Sequence, residues 1–222
     1  MPAQDDVREN RLVDLFNLER PENRTRHGVD AVLTLDGRVH EFELKSITTT
    51  KGGLTTVRDF GPDHIAKWKT KHWIVALYAG EKLVDCKYAS PDDVRPWVED
   101  RWEYVRSDFM AAELVPACIT METMQTIVGA KKLYTLKDAQ SVQKLQYSKA
   151  DYMAAMDRPN GYSPEAMLKI YQDRVGYLLS RGSTLNNPKI PQKMVEGWPS
   201  ISKDYASRLR KLVRAWAAKH PV

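Results

Sequence analysis

VDAVLTLDGRVHEFELKS, residues 29–46, sets an Asp-Gly pair between two runs of alternating apolar residues, the strongest short-range signal for a two-residue β-hairpin. With Asp36-Gly37 as the loop, Leu35 pairs with Arg38, Thr34 with Val39, Val32 with Glu41, and Asp30 with Glu43. Opposed residues share a face of the sheet, and side chains alternate along each strand. Val29, Ala31, Leu33, Leu35, Phe42 and Leu44 therefore form an apolar face, while Glu41, Glu43 and Lys45 join Asp30 on the other.

Two facing carboxylates, roughly 5 Å apart, repel each other unless positive charge lies between them. A divalent cation meets that need. Magnesium takes hard oxygen ligands and keeps several waters, so it suits two carboxylates plus a substrate phosphate oxygen. Lys45 adds an ammonium that can orient or deprotonate an attacking water, or stabilise charge on phosphorus during in-line attack. These parts point to phosphodiester hydrolysis. An outer face of merely solvated charges is the simpler alternative, but a structural hairpin more often sets opposite charges across its ladder.

Asp30 followed by Glu43-Leu44-Lys45 resembles the catalytic signature of the PD-(D/E)xK nuclease superfamily, which includes most type II restriction endonucleases, Holliday-junction resolvases and several repair nucleases. After the hairpin, an amphipathic segment from Asp63 to Lys71 and an apolar strand from Trp73 to Tyr78 follow in the order of that family's core. The resemblance implies an α/β, restriction-endonuclease-like fold: a mixed central sheet flanked by helices. It also implies Asp30 and Glu43 as metal ligands, Lys45 positioning or activating the attacking water, Mg2+ as cofactor and a product with a 5′-phosphate. Val29 stands where that family often has proline. Several such nucleases supplement the metal site with an acid from an N-terminal helix. Here a helix is expected from Asp5 to Leu18, ended by Pro21, with Glu9 as the first candidate and Glu19 as the second.

The chain matches the same loose pattern a second time, at Pro62-Asp63 and Asp85-Cys86-Lys87. Geometry decides against that set. Asp63 precedes a helical run for which it makes a good N-cap, and a turn near Gly80 would set Asp85 opposite an apolar residue near Ile74.

The remaining composition narrows the function classes. The 222 residues, 42% of them hydrophobic, suffice for one sizeable core or two smaller ones. No run of apolar residues is long enough for a membrane span, and the acidic, polar start is unlike a signal peptide, so no membrane association and a cytoplasmic location are expected. Cys86 and Cys118 lack metal-site spacing and read as buried core thiols; the five histidines are scattered, against a zinc-hydrolase motif.

A net charge of +5 favours a polyanionic partner. From Ser202 to Lys219 the chain reads as a basic amphipathic helix, with Tyr205, Leu209, Leu212 and Trp216 on one side and Arg208 and Lys211 offered to phosphates on the other. A second DNA-contact candidate is the loop after Lys45, where Lys51, Thr55, Thr56 and Arg58 accompany Gly52-Gly53, followed by His64 and Lys67. Helices are expected over Pro91–Met110, capped by Ser90, and over Leu133–Met156 and Pro164–Arg181, with Gly182 to Ser200 a long irregular connection. These readings divide the chain near residue 130, into a catalytic part (1–130) and a mostly helical basic part (131–222) for DNA binding or dimerisation.

The expected function is a magnesium-dependent endonuclease for double-stranded DNA, of the type II restriction class, acting as a homodimer because two-fold protein symmetry matches palindromic DNA. A structure-specific, phage or repair nuclease of the same superfamily would use the same three residues. An inactive DNA-binding protein on this core would not need them to converge.

Overall fold

A computed structural model describes residues 4–21, 28–48, 53–57, 60–184 and 187–221. The chain forms two compact units, one of Met1–Trp102 with Asn186–Val222 and one of Glu103–Leu185. This division differs from the one expected near residue 130. The last part of the chain is not a separate helical region, because it supplies a strand and a core-packing helix to the first unit.

In that first unit the strands are β1 (Ala31–Leu35), β2 (Arg38–Thr48), β3 (Leu54–Thr55), β4 (His72–Ala79), β5 (Lys82–Ala89), β6 (Lys189–Ile190) and β7 (Ser200–Ile201). Five of them form a mixed sheet in the order β1-β2-β4-β5-β7, parallel between β2 and β4 and antiparallel elsewhere. Asp36 and Gly37 both have positive φ, as a tight hairpin loop requires. The register is the expected one: Val32 faces Glu41, Thr34 faces Val39 and Leu35 faces Arg38. A parallel neighbour needs a crossover, and helix α2 (Pro62–Trp68) lies in the connection from β2 to β4.

The two faces of the sheet differ. Ala31, Leu33, Leu35, Phe42, Leu44, Ile74 and Ala76 are buried in one cluster with Leu12, Val13 and Phe16 of α1 (Gln4–Phe16) and Leu209 and Val213 of the C-terminal helix (Tyr205–Ala217). Tyr205 packs edge-on against Phe16, and Arg210 donates to the carbonyls of Phe16 and Asn17, closing the end of α1. The helix therefore ends before Pro21, at Asn17 in the left-handed conformation. On the other face, Trp73 meets Trp68 of α2, which packs on Phe60 and on Trp97 of α3 (Pro91–Leu114).

A polar cluster lies at the hairpin's loop end. His40 Nδ1 is 3.3 Å from His72 Nε2, and His72 Nδ1 is 2.8 Å from the Tyr88 hydroxyl. Trp216 stands edge-on to His72 and donates its indole N–H to Asp92, which also pairs with His220. Burial holds both His40 and His72 below the usual imidazole range, His72 at about 3.

The second unit is helical, with α4 (Met121–Val128), α5 (Leu136–Gln143), α6 (Lys149–Ala154) and α7 (Pro164–Thr184) around buried Met124, Tyr134, Tyr152, Tyr162 and Ile170. The single helix expected over Leu133–Met156 is two, because Lys144 and Leu145 take positive φ and Ser148 caps a new start. Gly182 to Ser200 is likewise more ordered than expected: it holds the end of α7, then β6, α8 (Gln192–Gly197) and the start of β7. Strand β6 pairs with β3, and β7 extends the main sheet. Asp63 is not the N-cap of α2; Gly61 is, since Pro62 takes the first helical position and the Gly61 amide donates to His64 Nδ1. Cys86 is buried, its thiol pushed up to about 12 by burial, whereas Cys118 is exposed rather than in the core. Among the described residues no helix is long and apolar enough to cross a membrane.

Candidate active site

The site is built by the open end of the hairpin. Asp30 stands just before β1, and its Oδ2 accepts the Leu44 backbone N–H at 2.9 Å, which ties the loop residue to the facing strand. Glu43 projects from β2 on the face away from Phe42 and Leu44, and its side chain is only 3% exposed. Two residues on, Lys45 shares that face; its Nζ lies 2.8 Å from Glu43 Oε1 and 3.9 Å from Asp30 Oδ2. The three residues picked from the sequence converge.

A fourth residue joins them. Lys67, on α2 across the crossover, brings its Nζ to 3.0 Å from Glu43 Oε2. Both oxygens of Glu43 are thus met by an ammonium group, Oε1 by Lys45 and Oε2 by Lys67. Beyond it, Lys71 is buried and 3.9 Å from Glu41 Oε2. Sequence reasoning had offered Lys67 to DNA and had no role for Lys71. Lys71 lies beyond the end of α2 and just before β4, so no helical spacing in the sequence signals that it and Lys67 come near the same carboxylates.

The electrostatics follow from burial against opposite charge. Burial pushes the Glu43 carboxyl up, but Lys45 and Lys67 outweigh it and bring it down to about 2. Burial likewise pushes the Lys45 ammonium toward neutrality, yet Glu43, Asp30 and, more weakly, Glu9 hold it above its ordinary range. Lys45 is therefore a firm cation. For Lys71, burial and then the neighbouring Lys67 prevail over three carboxylates, and its affinity for a proton falls.

The donor set fits a hard cation: the two carboxylates of Asp30 and Glu43, gathered within ion-pair reach of one lysine. Glu9, half-buried on α1, is close enough to act on Lys45. Among the described residues, no three acidic, histidine or cysteine side chains close around one point. Glu19 instead bridges Val32 through its backbone, with an exposed side chain. The second pattern match does not converge: Asp85 faces Leu77, and Asp85 and Lys87 both bind the Ser200 hydroxyl, while Asp63 is exposed on α2.

The expected DNA contacts fare unevenly. Thr55 is exposed on β3, but Thr56 is buried and donates its hydroxyl to the Pro188 carbonyl at 2.8 Å. His64 is held by Gly61 and stacked on Phe60. Lys51 and Arg58 lie outside the described residues. Arg208 and Lys211 are exposed on the C-terminal helix, whose buried side packs on the sheet face opposite Glu43 and Lys45; the structure does not bring them to the carboxylates.

Comparison with known proteins bears on this cluster. The family model for restriction endonuclease PvuII matches residues 4–128, more than half of the chain and the whole of the hairpin and its site. No curated protein matches the chain.

Proposed function

The chain belongs to the restriction endonuclease PvuII family, type II site-specific deoxyribonucleases of the PD-(D/E)xK superfamily, and from that premise we propose a magnesium-dependent enzyme that cuts double-stranded DNA at a defined sequence and leaves 5′-phosphates. The observation that carries the residue roles is the convergence of Asp30, Glu43 and Lys45 within ion-pair reach at the open end of one hairpin. Asp30 and Glu43 hold the cation. When bound, it supplies positive charge at the scissile phosphate and makes water more acidic. Lys45, kept protonated by its two carboxylate neighbours, orients the attacking water through its N–H groups and offsets charge building on the phosphate. Glu9 contributes negative potential to the same pocket.

DNA approaches the open end of the hairpin, and exposed Thr55 on β3 is offered to it, together with the sequence candidates Lys51 and Arg58. Two copies act together, matching the two-fold symmetry of a palindromic site. The helical unit, which contributes none of the clustered residues, serves DNA binding or dimerisation. Digestion of linear DNA of known sequence in Mg2+ tests this reading. Discrete fragments with ligatable 5′-phosphates are expected; a smear would contradict sequence specificity, and intact DNA would contradict catalysis.

A further inference from the structure

Glu43 is held between two ammonium groups, and the two are not equivalent. Lys45 meets Oε1 at 2.8 Å and also reaches Asp30, from the same strand as Glu43. Lys67 comes from a different element, meets Oε2 at 3.0 Å, and has a side chain 18% exposed. Lys67 gives up one carboxylate partner when it swings to another anion, whereas Lys45 would give up two.

Formal charge sharpens the point. Asp30 and Glu43 carry two negative charges and Lys45 and Lys67 two positive, so the four already balance. A divalent cation entering beside these two ammonium groups adds positive charge that Glu9, the further acid acting on Lys45, offsets only in part, in surroundings where unpaired charge is costly. Lys71 beside Lys67 adds to the excess, since its own partner Glu41 is as far away as 3.9 Å. Relief requires an incoming anion. DNA presents a closely spaced row of them.

Resting on the reading of Asp30 and Glu43 as metal ligands, we infer that Lys67 is a built-in counter-ion that competes with the divalent cation for Glu43 Oε2 and is drawn off it by a DNA backbone phosphate. Metal loading and DNA binding are then coupled through one side chain. Lys67 is a positioning residue in this scheme, acting through Glu43. Without DNA the ion pair keeps the carboxylates neutralised and the cation weakly held; with DNA the ammonium pairs with phosphate and Oε2 is released.

The test is calorimetric titration of the full chain with Ca2+, a hard cation that binds the same oxygen ligands. In DNA-free protein, Lys67→Met is expected to bind Ca2+ about tenfold more tightly than wild type, the effect of removing one close opposing charge. Lys67→Arg, which keeps the charge, is expected to stay within about threefold of wild type. With duplex DNA present, the advantage of Lys67→Met should shrink toward nothing, because in wild type the ammonium has already left Glu43. Equal or weaker Ca2+ binding by Lys67→Met in DNA-free protein would overturn the inference, as would an advantage unchanged by DNA. Should Lys67→Met not fold, Lys67→Gln carries the same expectation. Asp30→Asn and Glu43→Gln separate this from the underlying reading: if both bind Ca2+ like wild type, the carboxylates are not the metal site and that reading fails first.

Discussion

The hairpin of β1 and β2 carries a polar cluster near each end, and the two differ in how fully their groups are satisfied. At the loop end, His40, His72 and Tyr88 are linked in a buried chain, and neighbouring Trp216 and His220 converge on Asp92, with both buried imidazoles kept neutral by burial. At the open end, charged groups are buried: Glu43 between two ammonium groups, and Lys71 with its carboxylate partner Glu41 as far as 3.9 Å away. Complete satisfaction is what a structural network needs. A cluster of buried charge retained at that cost is the kind of place where functional groups gather, and on the proposed reading it serves an ion and a substrate.

That contrast predicts that changes at the open end remove activity and spare the fold, and that changes at the loop end do the reverse. The largest effect is expected from Asp30→Asn, which keeps an acceptor for the Leu44 amide but loses a ligand charge; DNA cleavage should fall at least about a thousandfold, equivalent to several kcal/mol of transition-state stabilisation. The melting temperature should barely change. Lys45→Ala should lower cleavage by about a hundred- to a thousandfold, the range for losing one charged donor at a developing negative charge. If either variant instead unfolds while cutting normally below its melting point, the contrast is broken.

Acid should separate the two ends. An imidazole whose folded pKa lies below its unfolded 6.5 binds fewer protons in the folded state, so stability is lost as pH falls below 6.5, down to about 3 for His72, by up to about 1.4 kcal/mol per pH unit for each histidine. The Glu43 carboxylate, depressed from 4.5 to about 2, contributes stability that is complete above 4.5 and lost as pH falls toward 2. Denaturant titrations across this range should therefore show His72→Gln flattening the upper part of the acid loss and leaving the lower part in place. A smaller effect is expected from Tyr88→Phe, which leaves His72 Nδ1 without its partner: a loss of about 1–2 kcal/mol in stability, with the cleavage rate retained. The smallest belongs to Arg208→Ala with Lys211→Ala. Lying on the face opposite the carboxylates, they should leave the slope of log DNA affinity against log salt unchanged, whereas true phosphate contacts would reduce it by about one each.

Local signals made the open end legible. Asp36-Gly37 set the loop, the loop set the register, and a register with period two placed Asp30, Glu43 and Lys45 on one face. The helix bearing Leu209 and Val213 was equally readable from its periodicity, but what it covers was not, and so its basic residues were assigned to DNA. Lys67 reaches Glu43 only through a crossover that brings α2 over β2, a tertiary fact that no spacing within either segment encodes. The histidine cluster joins residues from β2, β4, β5 and the end of the chain, each unremarkable in its own segment. Short strands β6 and β7 escaped because two residues carry no alternation; they exist through pairing with β3 and β5.

The central claim is that two acids and a lysine on one hairpin form the centre of a metal-dependent DNA-cutting enzyme. Supercoiled plasmid incubated in Mg2+ with wild type, Glu43→Gln and Lys45→Ala, each checked for a folded melting transition, tests it directly. Discrete cutting by wild type is expected, abolished by chelating the metal, and none by either folded variant. Cutting by both variants at the wild-type rate would contradict it.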